Sequence, residues 1–169
     1  ELNRAIESVI NQTYKNWELI IIDNNSSDNT DEVVSKFNDS RILLFKINNN
    51  GVIAKSRNLG IKKASGSFIA FLDSDDWWLP KKIEISLKYL EKGADIVYHD
   101  LFIAKKGALK NNRKAKTRSL FSPIFNDLLV NGNALNTSSV VLQKNIFEDV
   151  KLFSEEKKLI AIEDFDAWL

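Results

Sequence analysis

The sequence predicts an α/β fold in which a mostly parallel sheet is flanked by helices. Two apolar runs, residues 18–23 (ELIIID) and 68–73 (FIAFLD), each end in an aspartate, as buried strands do where their carboxyl ends meet a ligand crevice. Segments with apolar residues at helical spacing separate the runs, and such alternation indicates parallel crossovers. The acidic ends of both runs are therefore expected at one rim of the sheet.

Each predicted element has a local signal. Leu2, Ile6 and Val9 form one face of a first helix, and Gly93 closes a helix that begins near Pro80. In chain order, the predicted elements up to residue 100 are a helix from residue 1, a strand at 18–23, a helix near 28–37, a strand at 41–47, a helix at 52–64, a strand at 68–72, a helix near 80–92 and a strand at 95–99. Beyond residue 100 the alternation decays, and the sequence predicts a short helix at 121–130, a strand at 138–142 and a helix from 163.

Three carboxylates crowd the end of the strand at 68–72. Asp73, Asp75 and Asp76 follow it directly, with Ser74 between the first two. Like charges this close repel each other unless a cation neutralises them, and oxygen ligands suit Mg²⁺ or Mn²⁺. We therefore expect a divalent cation at Asp73 and Asp75. The competing interpretation is that one aspartate caps the helix near Pro80 while the others are solvated.

Composition limits the classes of protein that the chain can represent. Its 169 residues, 44% of them hydrophobic, suffice for one domain, predicted to span residues 1–169. The net charge of +1 gives no field that would favour nucleic acid, so no nucleic-acid partner is expected. Without cysteine and with one histidine, any metal site must be built from oxygens. No signal peptide and no apolar run of about 20 residues is recognised, which favours a cytoplasmic protein.

The common phosphate-binding and calcium-binding motifs are missing from the sequence. It contains neither GxxxxGK[ST] nor GxGxxG, so a metal is expected to hold any phosphates instead of a glycine loop. Asp23, Asn25 and Ser27 superficially resemble a calcium loop, but Asp28 and Val34 stand where an EF-hand has its glycine and its glutamate. The single histidine, His99, follows an apolar run and is interpreted as a packing residue without a functional role.

The segment 105–118 has seven basic residues and no acidic one. Because it has few apolar residues to bury, it is predicted to be a mobile loop. A solvated surface loop is the plainer interpretation. The functional one is contact with an acceptor phosphate or with the anionic inner face of a membrane, so the localisation is cytoplasmic with possible peripheral membrane contact through Lys105 to Arg118.

Four segments together resemble family 2 glycosyltransferases, which are inverting enzymes of GT-A fold. They are AIESVINQTYKNWELIIIDNNSSDNT, AKSRNLGIKKASGSFIAFLDSDDW, LNTSSVVL and EDFDAWL, in that order, and the match covers nearly the whole chain. The resemblance implies transfer of a sugar, from a nucleotide-diphosphate donor such as a UDP-sugar, to a glycan or lipid-linked acceptor. It also implies a nucleotide-binding half at about 1–100 and an acceptor-side half at about 101–169.

The resemblance also assigns roles to individual residues. Asp23 and Asn24 match the corner that recognises the nucleoside, where an asparagine stands in place of a second aspartate. Asp73 and Asp75 match the DxD motif, with Asp75 the metal ligand and Asp73 nearer the ribose, and Ser74 is grouped with the nucleotide. Two further basic and acidic positions complete the implied site: Arg57 in SRNLG near the nucleotide and Asp164 in the ED pair as catalytic base.

Each of these assignments has an alternative. Arg57 is otherwise a surface arginine of a helix, Asp164 an exposed acid in a first helical turn, and Trp77 and Trp78 are as readily core as pocket wall. The resemblance also implies a strand before residue 1 and an acceptor-side segment after residue 169, so the fold is expected to be incomplete at both ends, with exposed strand edges. The oligomeric state is not indicated by the sequence.

Two other classes of protein remain open. A sugar nucleotidyltransferase also combines an α/β sheet with metal-binding aspartates, although the ED pair would then have no evident use. A non-catalytic module would use residues 105–118 to bind nucleic acid or a membrane surface, and its affinity would fall steeply with salt.

Overall fold

The computed structural model describes residues 1–105, 108–149 and 152–169, with no side-chain placement for residues 105 and 108–112. The helices are α1 (Leu2–Ile10), α2 (Thr30–Ser35), α3 (Ile53–Lys63), α4 (Lys82–Leu90), α5 (Ile124–Asn131), α6 (Ile146–Asp149) and α7 (Glu163–Trp168). The strands are β1 (Leu19–Asp23), β2 (Ile42–Lys46), β3 (Phe68–Ala70), β4 (Ile96–Val97), β5 (Leu101–Lys105), β6 (Ala108–Ala115) and β7 (Val141–Gln143). The elements up to β4 follow the predicted order, which confirms the α/β class.

The strands pair in three groups. β1 and β2 are parallel and in register from Leu19↔Ile42 to Asp23↔Lys46. β7 lies between β3 and β4 and is antiparallel to both, so β3 and β4 run in the same direction. The sequence did not reveal that the late strand returns into the middle of this group, because the pairing joins segments far apart in the chain.

β7 is buried on both faces. Val141 belongs to a cluster with residues of α1 and α4, whereas its neighbour Leu142 belongs to a larger cluster with residues of α3, α5 and α6. Successive side chains of a strand point to opposite faces, so helices cover both sides of the sheet. Asn58 of α3 joins the larger cluster to the chain before α7, because its amide exchanges two hydrogen bonds, of 2.9 and 3.0 Å, with the backbone of Phe153.

A groove of about 730 Å³ separates β1 from β3. Within the described residues, β1 pairs only with β2 and β3 only with β7, so each has one edge without a strand partner. Side chains of both strands and of α1, α3 and α4 line the groove, and Arg57, Asp73 and Ser74 also contribute to its lining. The groove therefore connects the interior of the sheet with the acidic turn (residues 73–76).

A mobile basic loop was predicted at 105–118, and the loop is wrong for residue 105 and residues 108–115, which lie in strands. β5 and β6 form an antiparallel hairpin, with Leu101 opposite Ala115 and a register shift between Phe102 and Ala104. Charge content does not exclude a strand when a neighbouring strand supplies the backbone hydrogen bonds, and here that partner is itself apolar (LFIA). Residues 106 and 107 lie outside the described part of the chain.

The predicted elements after the hairpin are only partly as expected. α5 and α7 are present, but Thr137–Ser139 form a 3₁₀ turn, so the predicted strand at 138–142 begins only at Val141. Arg118, the last basic residue of the segment, forms an ion pair with the buried Asp127 of α5 and donates to the Gly132 carbonyl at 2.9 Å. Among the described residues, no helix has both the length and the apolar character needed to cross a membrane.

Candidate functional site

The acidic turn follows β3 and is held from two sides. The Asp73 amide donates to Ser138 Oγ at 3.1 Å, and Trp78 Nε1 donates to the Ser138 carbonyl at 2.8 Å. From the other side, Arg4 of α1 donates to the Asp75 carbonyl at 3.0 Å, and its guanidinium stacks 3.7 Å above the Trp77 ring. The backbone of the turn is therefore fixed, while Asp75 is exposed and the Asp73 side chain is about half buried.

Arg57 of α3 connects the acidic turn with α7. Its Nη1 donates to Glu163 Oε1 at 2.8 Å, and its Nη2 lies 3.6 Å from Asp73 Oδ1. The Arg57 side chain is 14% exposed and the Glu163 side chain 6%, so the ion pair between them is buried. The alternative interpretation of Arg57 as an arginine bound to nothing in particular is wrong.

Three carboxylates crowd the acidic turn, and Arg57 lies against one of them, Asp73. Burial raises the pKa of Asp73, and the neighbouring Asp76 and Asp75 raise it further, while Arg57 opposes the shift. A carboxylate whose pKa is raised by its neighbours is a site where a cation is favourable. No three Asp, Glu or His side chains of the described residues converge as a complete metal site, so a cation here would take its other ligands from substrate and water.

Asp164 is linked to the acidic turn through the 3₁₀ turn. Thr137 Oγ1 donates to Asp164 Oδ2 at 3.0 Å, and the next residue, Ser138, accepts the Asp73 amide. Asp164 is partly exposed, whereas its neighbour Glu163 is buried against Arg57. The two residues of the ED pair thus differ in role: Glu163 anchors α7, and Asp164 presents a carboxylate toward solvent.

Asp23 and Asn24 form a second polar corner at the end of β1. Asp23 is 5% exposed and its Oδ1 accepts the Ser26 amide at 3.1 Å, while Oδ2 has no partner within the described residues. Asn24 Oδ1 accepts the Asn49 amide at 2.8 Å. Asn49 is also buried and binds Ser56 Oγ at 2.9 Å, which ties the corner to α3. The buried Oδ2 of Asp23 is therefore left without a hydrogen-bond donor among the described residues.

The structure thus connects Arg57, Asp73 and Asp164 through hydrogen bonds and the ion pair of Arg57 with Asp73. Asp23 and Asn24 form the corner at the end of β1. Sequence reasoning missed four residues that organise these places: Arg4, Asn49, Thr137 and Glu163. Thr137 and Glu163 lie in the segments LNTSSVVL and EDFDAWL, so their position in the sequence was the available signal.

Lys82, at the start of α4, is an unexpected buried cation. It is 7% exposed, its Nζ lies 3.9 Å from the centre of the Trp78 ring, and Nζ has no hydrogen-bond partner in the part of the chain that the structure describes. Burial lowers the pKa of Lys82 from 10.5 to about 7. Burial lowers the pKa of His99, and the nearby positive charge of Lys82 lowers it further. The hydrogen bond between His99 and the Asp100 carbonyl acts in the opposite direction and raises this pKa.

Replacing Lys82 by methionine is expected to stabilise the chain at neutral and lower pH. Between about pH 7 and pH 10.5, Lys82 is neutral in the folded chain but still protonated in the unfolded chain. The buried ammonium therefore lowers the free energy of unfolding most below pH 7, and this loss becomes smaller as the pH rises from 7 to 10.5. Lys82→Met should raise the free energy of unfolding by about 1–4 kcal/mol at pH 6.5, and by less at pH 9.5.

Urea denaturation at both pH values measures this difference, with the exposed neighbour Lys81→Met as control. A Lys82→Met chain that is less stable than wild type at pH 6.5 would show that the ammonium is stabilised where it lies.

The arrangement of the sheet and the helices around it identifies the fold. Over 99% of its length, the chain superposes on 49% of Staphylococcus aureus TarS in complex with UDP, with a TM-score of 0.76 and 20% sequence identity. This similarity shows the GT-A fold, so the predicted fold is confirmed.

The chain belongs to glycosyl transferase family 2, whose family model matches residues 1–150. Escherichia coli WfgD, a UDP-Glc:alpha-D-GlcNAc-diphosphoundecaprenol beta-1,3-glucosyltransferase, is 47% identical over 91 residues, which are 54% of this chain and 36% of WfgD. An uncharacterized glycosyltransferase of Methanocaldococcus jannaschii is 31% identical over 180 residues, covering 99% of this chain and 58% of that protein. The chain therefore spans between about a third and three fifths of these two relatives.

Family membership confirms the predicted class of enzyme. It favours glycosyl transfer over the two alternatives, the sugar nucleotidyltransferase and the non-catalytic binding module, because the match includes both the acidic turn and the chain before it.

Proposed function

We propose that this domain transfers a sugar from a UDP-sugar to a lipid-diphosphate-linked acceptor with inversion at the anomeric carbon. Support comes from two relatives of E. coli, WfgD and WfaP, the second of which is 45% identical over 87 residues. Both are UDP-Glc:alpha-D-GlcNAc-diphosphoundecaprenol beta-1,3-glucosyltransferases. The observation that carries the proposal is the hydrogen-bonded link from the acidic turn through Ser138 and Thr137 to Asp164.

In the proposed donor site, Asp23 and Asn24 contact the nucleoside, and Arg57, Asp73 and Ser74 lie toward the ribose and phosphates. The unpartnered Asp23 Oδ2 suits an N–H donor of the base. Asp75 and Asp73 would hold Mg²⁺ or Mn²⁺, because Asp75 is exposed and the repulsion among Asp73, Asp75 and Asp76 favours a cation. When bound, that ion would stabilise charge on the leaving diphosphate.

Asp164 is the proposed general base. Its Oδ2 accepts a hydrogen bond from Thr137, which orients the carboxylate while Asp164 remains partly exposed to an entering acceptor. A carboxylate so placed takes the proton of the acceptor hydroxyl as that oxygen attacks the anomeric carbon from the face opposite the diphosphate. A single displacement of this kind inverts the configuration.

Replacement of Asp75 by alanine tests the donor site. We expect the wild-type chain to bind UDP in the presence of Mn²⁺ and to lose this binding in EDTA, because no glycine-rich loop is present to hold the phosphates. Asp75→Ala should weaken UDP binding by at least tenfold in calorimetry, and should leave the chain folded because the change relieves repulsion within the turn.

The exposed Asp149 of α6 offers a matched control, and Asp149→Ala should bind UDP as the wild type does. Equal UDP affinity of Asp75→Ala and wild type, or equal affinity with and without Mn²⁺, would contradict the proposed metal-dependent site.

Peripheral contact with a membrane also belongs to the proposal. α5 and the residues before it expose Phe121 (70%), Phe125 (53%), Leu129 (60%) and Val130 (80%), and the basic hairpin precedes them in the chain. Apolar side chains combined with basic charge favour an anionic lipid surface. The chain should co-sediment with vesicles containing phosphatidylglycerol, and Val130→Glu should reduce the bound fraction severalfold. Equal binding of wild type and variant would contradict this contact.

A further inference from the structure

A second cavity, of about 1160 Å³, lies beside the acidic turn and is lined by residues of α4, β4 and β5. We call it the α4 cavity. Its lining includes Asp75 of the acidic turn, the adjacent Trp77, and also Lys82 and His99. Four of its lining side chains are large, apolar and exposed: Leu79, Ile85, Tyr89 and Phe102. The cavity thus combines an exposed apolar surface with buried polar groups.

Two buried atoms of the α4 cavity, Lys82 Nζ and His99 Nε2, have no hydrogen-bond partner among the described residues. Lys82 is more than nine-tenths buried and its ammonium has no hydrogen-bond acceptor among the described residues. His99 Nδ1 lies 2.9 Å from the Asp100 carbonyl, while Nε2 has no partner in the same part of the chain. A buried ammonium without a counter-charge is costly, as its lowered pKa also shows, and an entering anion would remove that cost.

Two other charged residues of the lining, Glu1 and Lys81, are exposed, and the remaining ones are engaged or lie at the acidic turn. Asp100 Oδ1 accepts from the Thr117 amide and hydroxyl at 2.8 and 3.0 Å. Asp75 and Asp76 belong to the turn that holds the proposed cation, and Arg4 is bound to that turn. Within the part of the chain that the structure describes, Lys82 is therefore the buried cation of the lining, and its ammonium has no hydrogen-bond acceptor there.

We propose that the α4 cavity binds the phosphate of the lipid-linked acceptor, with Lys82 as its cationic contact and the apolar side chains holding the adjacent part of the lipid. This assignment rests on the proposed function and specifies its acceptor subsite. An anion attached to an apolar chain is the chemistry that matches a buried ammonium bordered by Leu79, Ile85 and Tyr89.

The position of the cavity is consistent with sugar transfer. Ser138 lines the α4 cavity, and its neighbour Thr137 binds the proposed base Asp164. Asp75 lines the same cavity from the donor side. A sugar attached to a phosphate at Lys82 would therefore extend from the α4 cavity toward the acidic turn, where the donor is proposed to lie.

Farnesyl diphosphate is a water-soluble probe for this site, and it is measured in EDTA so that the metal-dependent donor site does not contribute. We expect farnesyl diphosphate to bind the wild-type chain, inorganic pyrophosphate to bind at least tenfold more weakly, and farnesol not to bind. Lys82→Met should lower the affinity for farnesyl diphosphate at least tenfold, whereas Lys92→Met, at an exposed position outside the lining, should change it less than twofold. Ile85→Ser, at an exposed position, should weaken farnesyl diphosphate but not pyrophosphate.

UDP binding with Mn²⁺ separates this assignment from the donor site. Lys82→Met should bind UDP as the wild type does, which also shows that the variant is folded. Two results would overturn the acceptor subsite alone, provided that UDP binding is normal. One is that farnesyl diphosphate does not bind, and the other is that it binds with an affinity that Lys82→Met leaves unchanged. Equal affinity for pyrophosphate and farnesyl diphosphate would overturn the role of the apolar side chains, because the site would then recognise free diphosphate. If the wild-type chain did not bind UDP but bound farnesyl diphosphate in a manner that depends on Lys82, the proposed donor site would be contradicted instead.

Discussion

Replacing Asp164 by asparagine is expected to reduce sugar transfer by about 10²–10⁴-fold while UDP binding stays near the wild-type value. Asparagine can retain the hydrogen bond from Thr137 through its amide oxygen, so the local structure should persist. It cannot accept the proton of the acceptor hydroxyl. The measurement is the initial rate of transfer from UDP-glucose to a GlcNAc-diphospholipid, in a protein that contains this domain within the full length of its relatives.

Asp166 provides the matched control, because it lies on the same helix and is exposed. Asp166→Asn should retain transfer within about twofold. Thr137→Val should have an intermediate effect, since it removes the orienting bond and leaves the carboxylate. If Asp164→Asn kept near-normal turnover, another group would have to be the base.

Replacing Arg57 by methionine is expected to destabilise the chain by about 3–5 kcal/mol, because the change leaves the buried Glu163 without its counter-charge. Glu163 is 5% exposed, and its Oε2 already has no partner among the described residues. Asp73 loses the one basic side chain that opposes the upward shift of its pKa. The free energy of unfolding from urea denaturation measures the effect.

A double replacement makes this second prediction specific. Arg57→Met combined with Glu163→Gln removes both members of the buried pair, and it should be more stable than Arg57→Met alone by at least 1 kcal/mol. Lys62→Met, at an exposed position of the same helix, should change stability by less than about 0.5 kcal/mol. An Arg57→Met variant as stable as Lys62→Met would show that Arg57 does not carry the connection between α3 and α7.

The parts of the fold that the sequence predicts are those with local signals. The apolar stripes of α1, α3 and α4 and the apolar runs of β1 and β3 are each complete within a few residues, and the acidic turn is continuous in the chain. The β5–β6 hairpin was missed because its basic residues suggested solvation, whereas the pairing of the two strands decides the structure. The direction of β7 was likewise decided by partners about 45 and 70 residues away.

The candidate site likewise has residues that the sequence predicts and surroundings that it does not. Asp73, Asp75 and Asp164 stand in recognisable segments, but their surroundings depend on tertiary contacts. Lys81 and Lys82 are adjacent and identical in type, yet one is exposed and the other buried, because only Lys82 faces Trp78. Their difference arises from the packing of α4 and has no counterpart in local sequence.

The bond between Arg57 and Glu163 has a consequence for the synthesis of the protein. Its two residues lie 106 positions apart, and the neighbouring contact between Asn58 and Phe153 spans 95. At about 5–20 residues per second, a ribosome needs roughly 5–20 s to extend the chain from Arg57 to Glu163. During that interval Arg57 and Asn58 of α3 have been synthesised, but their partners Glu163 and Phe153 have not. The apolar surface that later packs against α6 and Phe153 is exposed for the same period. The nascent chain therefore passes through a period in which chaperones can bind this face, and the proposed transfer site can form only after α7 has left the ribosome.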